Sequence, residues 1–265
     1  MDGVHSFAYR LPRDAFSPRQ VARPGEVWRV FQEAAVRAST ACGWPPQRYL
    51  DEGVAFVVTS MNATHHREIR YGQELCVRTW LRDFRRGVLT KREVRLEDED
   101  GPIASTTQQW AHVAAIEGGF APSPASPELI GAFVARDDLE PVVTLPAMTE
   151  TLDQSSEQVF AFDCWQTWMD PLDHANHPLY VDWADEAVAR IAVARGLDPQ
   201  AIVARAERVA WKAGVGAGDR VIVRSRLAGF VGQACLFRHR LEGREGQLFA
   251  RATTVRELPG LGRSG

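Results

Sequence analysis

The chain has 265 residues, room for one large domain or two fused halves of about 130. Its 45% hydrophobic and 25% charged content sits at globular averages, which excludes a disordered, collagen-like or disulfide-stapled chain. The formal charge of −3, from 31 Lys+Arg against 34 Asp+Glu, supplies no basic field for a polyphosphate backbone, so nucleic acid is not expected as a partner.

The opening stretch "MDGVHSFAYRLPRD" carries charges throughout, and nowhere do about 18 uncharged apolar residues follow one another, which speaks against secretion and against a membrane span. From Pro24, "PGEVWRVFQEAAVRASTACGW" places Val27, Val30, Phe31, Ala34, Ala35 and Ala38 at helical spacing, with Gly43 and Pro45 as stop signals. One amphipathic helix is expected there. "VAFVVTSMNATH", "QELCVRTWLRDF", "LTKREVRLED" and "IASTTQQWAHVAAI" then follow, rich in β-branched and aromatic residues and separated by turn signals such as "RRG" and "EDEDG". They read as an antiparallel meander.

The same order returns downstream: a helix in "YVDWADEAVARIAVARG", then "RVAWKAGV", "DRVIVRSRLAGF", "QACLFRHRLEG" and "QLFARATTVREL". Gly101 matches Gly246 and Gly87 matches Gly232, both at a shift of 145, while Glu33-Ala34 match Glu186-Ala187 at a shift of 153. A tandem duplication explains the pattern. Between the copies, "GGFAPSPAS" from Gly118 to Ser126 has linker composition, and 127–156 shows no clean period. The expected division is an N-terminal unit at 1–117, a crossover at 118–158 and a C-terminal unit at 159–265.

A long helix wrapped by an antiparallel sheet buries all but one stripe of the helix, and two copies side by side pair their sheet edges. The expected class is therefore α+β, a double hotdog: two antiparallel sheets, each around a long helix, joined edge to edge as a pseudo-dimer within one chain. A monomer then suffices for a complete site, with further oligomerisation open. Cys42, Cys76, Cys164 and Cys235 are scattered, with no CxxC pair or ligand-spaced His pair, so they read as buried thiols in a reducing, cytoplasmic setting rather than as a zinc site or disulfide framework.

Two regions resemble the acyl-acyl-carrier-protein thioesterases, which are tandem hotdogs. In the first half these are "VFQEAA", the following Gly43, "GVAFVVTSMNATHHREIRYGQELCVRTW" and "ASTTQQWAHV"; in the second it is "MDPLDHANHPLYVDW". The latter is similar to that family's signature Asp-x-Asn-x-His-Val-Asn-Asn-x-x-Tyr-x-x-Trp. The resemblance covers roughly 19–113 and 162–255. It implies an acyl thioesterase acting on an acyl-carrier-protein or coenzyme A thioester, with the catalytic Asp at Asp170, the His at His174, the first following Asn at Asn176, and the Tyr and Trp at Tyr180 and Trp183. Leu172 stands where the family has Asn, His177 where it has a second Asn, and Val215 where it has a downstream acid.

Thioester hydrolysis needs a polarised carbonyl, an attacking water or carboxylate, and a proton for the leaving thiol, none of which requires a metal or other cofactor. In this reading the N-terminus of a helix starting near Pro178 holds the oxyanion. Asp170 orients or activates water or attacks directly, and His174 donates the proton or holds the water. Asn176 keeps the site in register, and Asp173 replaces the missing Asn as a partner for an imidazole. A structural reading competes: Asp173 or Asn176 merely caps the helix and the two His are solvated loop residues. The resemblance favours a site, because the family puts its chemistry at this loop-to-helix junction. Two further functional readings share the fold: a dehydratase, hydratase or cyclase for acyl or polyketide intermediates, and a non-catalytic acyl-binding protein.

Elsewhere, His65-His66 read as a surface pair, Glu33 as part of a helix's polar edge, and Arg82, Arg85, Arg86, Lys91 and Arg92 as a solvated basic hairpin, with a carrier protein or a coenzyme A phosphate as the functional alternative for that run.

Overall fold

A computed structural model describes residues 3–117, 119–139, 145–152 and 156–261. The first half contains β1 (Val4–Tyr9), α1 (Pro24–Ala41), α2 (Pro46–Asp51), β2 (Val54–His65), β3 (Leu75–Arg85), β4 (Leu89–Asp98) and β5 (Gly101–Ile116). After β6 (Gly119–Pro122), α3 (Pro127–Ala132) and β7 (Glu150–Thr151) come β8 (Gln158–Asp163), α4 (Leu179–Ala194), β9 (Val203–Trp211), β10 (Arg220–Val231), β11 (Ala234–Glu242) and β12 (Leu248–Glu257).

Both long helices follow from local chemistry. Pro24 occupies the first turn of α1, where its missing N–H costs nothing. Val27, Trp28, Val30, Phe31, Ala34 and Ala38 form the buried stripe. Gly43, at φ +83°, turns the chain out in a conformation that L side chains resist. α4 buries Tyr180, Val181, Trp183, Ala184, Ala187, Val188 and Ile191, and Gly196 plays the same terminal part at φ +70°.

All named strand pairs are antiparallel, in the order β1-β3-β4-β5-β2-β9-β12-β11-β10, with β8 and β7 both pairing β10 and β6 pairing β5. The strands form one continuous sheet rather than two. The halves join where β2 meets β9, from Ser60 opposite Ala210 to Thr64 opposite Ala206. The order reads alike from either side of that seam, β8 to β12 taking the places of β1 to β5. The helices meet on the inner side: Gly25 of α1 lies so close to Asp182 of α4 that a methyl group there would fall 1.8 Å from the carboxylate. Arg29 Nη2 donates to Asp182 Oδ2 at 2.8 Å.

Within the crossover, β6 folds back onto β5, most of residues 119–126 stay exposed, and Ala125 together with the later Leu129 is buried against Trp44. Gly118, residues 140–144 and residues 153–155 of that expected division lie outside the described residues. The cysteine expectation also needs correction: Cys164 and Cys235 are buried, but Cys76 is exposed and Cys42 half-buried.

His65 is no surface residue. Its Nε2 lies 2.7 Å from Glu207 Oε2, which also accepts from Trp28 Nε1 at 3.2 Å. Arg256 Nη1 lies 2.8 Å from the other oxygen of Glu207, and Arg256 also donates to Asp185 Oδ1. This buried set ties α1, α4, β2, β9 and β12 together across the seam.

Candidate active site

A cavity of about 730 Å³ opens between α1, α2 and the inner face of β2–β5, and reaches the loop before α4. The repeated order of elements shows why it lies under α1. The 153-residue shift carries Ala35 and Ala38 to Val188 and Ile191, which fill the equivalent space under α4 together with Leu227, Phe230 and Phe237. Smaller side chains on α1 leave the corresponding space open. Ala35, Val36 and Ser39 of α1 line it with Val57 of β2 and Trp110 of β5, and most of the wall is apolar.

At its other end the loop 169–178 is held by backbone bonds. Met169 bridges Ala175, Asp170 N donates to His174 O at 2.9 Å, and Ala175 N donates to Val215 O at 2.7 Å. Asp173 adopts φ +58°, a left-handed turn that short polar residues tolerate. The turn folds His174 back onto Asp170: His174 Nδ1 lies 3.2 Å from Asp170 Oδ2, while Asp170 Oδ1 accepts from Leu172 N at 2.8 Å. Both carboxylate oxygens are thus committed. The hydrogen bond with Asp170 raises the His174 pKa above its ordinary 6.5, outweighing the opposing effect of burial. Gly214, on the loop after β9, packs against the imidazole; a Cβ there would sit 3.1 Å from His174 Cβ.

His177 is buried edge-on between Trp110 and Trp211, at ring distances of 5.8 and 5.6 Å. Its Nε2 has no hydrogen-bond partner among the described residues. Burial pushes its pKa down to about 3, so the ring is neutral near pH 7. Asp170, Leu172, His174, His177 and Tyr180 all line the cavity. Tyr180 is buried, which raises the pKa of its phenol, and its ring lies 5.9 Å from that of Trp211. Trp183 packs into the core against Phe162 at 5.1 Å.

Asn176 and Asp173 are not brought to the cavity wall. Asn176 acts through its backbone, its N donating to Trp168 O and its carbonyl accepting from Leu179 N, both at 3.0 Å. Asp173 is exposed; the hydrogen-bonded partner of the His174 imidazole is Asp170, and Asp173 adds only its nearby charge.

Neither reading of the helix start holds as expected. No side chain caps α4. Its first amides, Leu179, Tyr180 and Val181, already donate to the carbonyls of Asn176, His177 and Pro178, so they are not vacant for an oxyanion. Pro178 forces this tight entry by continuing the helical φ backwards.

Glu33 pairs with Arg37 at 2.7 Å on the exposed side of α1. Of the basic hairpin, Arg85 pairs with Asp83, but Arg92 points inward and is buried. Trp211 and Lys212, which the sequence shows only as part of a strand and not as site residues, also line the cavity; they follow no motif and are brought there by the end of β9.

Residues 25–104 match the thioesterase superfamily family model. No curated protein matches the sequence. Among solved structures, one described as an oleoyl thioesterase from Lactobacillus plantarum has 18% identity and a TM-score of 0.76, covering 96% of each chain. An acyl-ACP thioesterase from Bacteroides thetaiotaomicron has 14% identity and a TM-score of 0.74, covering 96% of this chain and 98% of its own. The 12:0-ACP thioesterase from Umbellularia californica has 14% identity and a TM-score of 0.75, covering 96% and 94%. Over nearly its whole length the chain thus shares the hotdog fold of these solved thioesterase structures, and its residues 25–104 match the thioesterase superfamily.

Proposed function

We propose that the chain hydrolyses an acyl thioester carried by an acyl carrier protein or coenzyme A, releasing a carboxylic acid and a thiol. The observation that carries this reading is the Asp170–His174 pair at the wall of a mostly apolar cavity of about 730 Å³, a size suited to a small-molecule chain. Two units, at 1–117 and 159–265 with the crossover 118–158 between them, act as an intrachain pair: the first supplies the acyl cavity and the second supplies the dyad. One chain therefore holds a complete site.

With both oxygens committed, Asp170 is better placed to orient His174 than to attack. Its bond to Nδ1 leaves the imidazole Nε2 to take a proton from water. The water oxygen bonds to the acyl carbon, the carbonyl oxygen becomes anionic, and neutral His177, with an unpartnered nitrogen in the same cavity, donates a hydrogen bond to it. Collapse of the intermediate breaks the carbon–sulfur bond, and the proton on His174 passes to the thiolate. Exposed Lys212 suits the phosphate of a pantetheine arm.

The test is release of free thiol from a panel of acyl-carrier-protein and acyl-coenzyme A thioesters of graded length. Turnover that disappears in His174→Ala supports the reading. Acyl binding without thiol release from any substrate refutes it.

A further inference from the structure

Arg92 lies on the inner face of β4, in a row with Thr90, Val94 and Leu96, all buried. It is only 6% exposed and lines both the large cavity and a smaller void of about 160 Å³ beside it. Its Nη1 donates to Thr79 Oγ1 at 3.2 Å, and its guanidinium lies 5.9 Å from the ring centre of Phe133. Among the described residues no carboxylate lies within ion-pair distance of it, whereas Arg256, the other buried arginine among them, pairs with both Asp185 and Glu207.

The nearby acids do not supply the missing anion. Burial raises the Tyr49 phenol to about 12 and raises the Cys42 thiol as well. Both stay neutral near pH 7, and the Tyr49 hydroxyl is engaged with Ser39 at 2.8 Å. Burial lowers Arg92 to about 10, which still leaves it cationic. An unpaired charge in an apolar wall is costly unless something answers it. The second half shows the contrast: the 145-residue shift carries Arg92 to Phe237, buried in a packed apolar cluster. The guanidinium thus belongs to the half that has a cavity.

We infer that Arg92 recognises a carboxylate at the far end of the acyl chain, so that the substrates of this site are half-thioesters of dicarboxylic acids. The inference rests on the acyl-binding reading of the cavity. The dyad end is marked by Trp211 on β9, and Arg92 is on β4, with β2 and β5 between them. Three strand spacings amount to about 14 Å, the reach of roughly eleven extended carbons.

The test uses the full chain and two amide analogues of acyl-pantetheine, which cannot be hydrolysed: the dodecanoyl amide and the half-amide of dodecanedioic acid. Calorimetry should find the carboxylate-ended probe bound about 10- to 100-fold more tightly, the range for a charge-assisted hydrogen bond. Arg92→Met should erase that preference while leaving the methyl-ended probe bound as well or better, and Arg92→Lys should keep part of it. Equal binding of the two probes by the parent protein, or an equal loss for both in Arg92→Met, overturns the inference. The parent comparison stands even if Arg92→Met fails to fold. The matching thioesters, assayed for thiol release, separate the two claims: preference without turnover refutes hydrolysis alone, and turnover without preference refutes the role of Arg92 alone.

Discussion

At the scale of residues, the Asp170–His174 pair gives activity and stability opposite pH dependences. The carboxylate raises the His174 pKa above 6.5, so a base that must be neutral gains strength as pH rises through that raised value. kcat/KM should therefore show an acid limb with a pKa above 6.5, and Asp170→Asn should move the limb down while lowering the plateau by about 10²–10⁴-fold. Stability runs the other way. A raised folded pKa contributes stability fully present below the unfolded value and lost as pH rises through the folded one. Urea midpoints of the parent should fall across that window relative to His174→Ala, and a flat difference would show that the two groups are uncoupled. The spacing of Asp170 and His174 was legible because four residues and a turn former suffice to bring them together. Asn176 and Asp173 were not: neither reaches the cavity wall, and periodicity carries no sign of a single left-handed residue such as Asp173 in the turn.

At the scale of elements, the cavity depends on what α1 lacks. Enlarging Ala35 or Ser39, which both line it, to Leu should fill part of the space and shift the preferred substrate toward shorter chains, at about 0.8 kcal/mol per methylene no longer buried. The chain-length profile of kcat/KM checks this; an unchanged profile would place the acyl chain elsewhere. The helix contact makes a second claim. Gly25→Ala would drive a methyl group into Asp182 and separate it from Arg29, with a stability cost of about 1–3 kcal/mol, typical of overpacking, readable in a chemical denaturation curve. Both long helices and the eight strands of the two meanders were visible from hydrophobic spacing and turn residues. β1 and β8 were not, being six residues each with polar and charged neighbours, too short for alternation to stand out. The docking of the crossover was not legible for a related reason: Ala125 and Leu129 gain their burial from Trp44, which is distant in the chain.

At the scale of the molecule, what couples the halves is a polar network inside the seam. Glu207 on β9 receives His65 and Trp28 from the first half and Arg256 from β12, and Arg256 continues to Asp185 on α4. Adjacent His65 and His66 face opposite sides of the strand, and only the folded register of β2 against β9, Ala63 opposite Glu207, determines that His65 meets the acid. Burial opposes ionisation of Glu207, but the charges of His65 and Arg256 and their hydrogen bonds prevail and hold its pKa well below the ordinary range. A depressed folded pKa contributes stability present above the unfolded value and lost as pH falls through the folded one. The seam should therefore loosen in acid. Glu207→Gln, which leaves Arg256 buried with less compensation, should cost about 3–5 kcal/mol and make the unfolding midpoint less sensitive to acid than the parent's. Asp170 and His174 lie outside the network, so the rate per folded molecule and its acid limb should stay as in the parent. Loss of that limb together with stability would mean instead that the seam network and the dyad act as one unit.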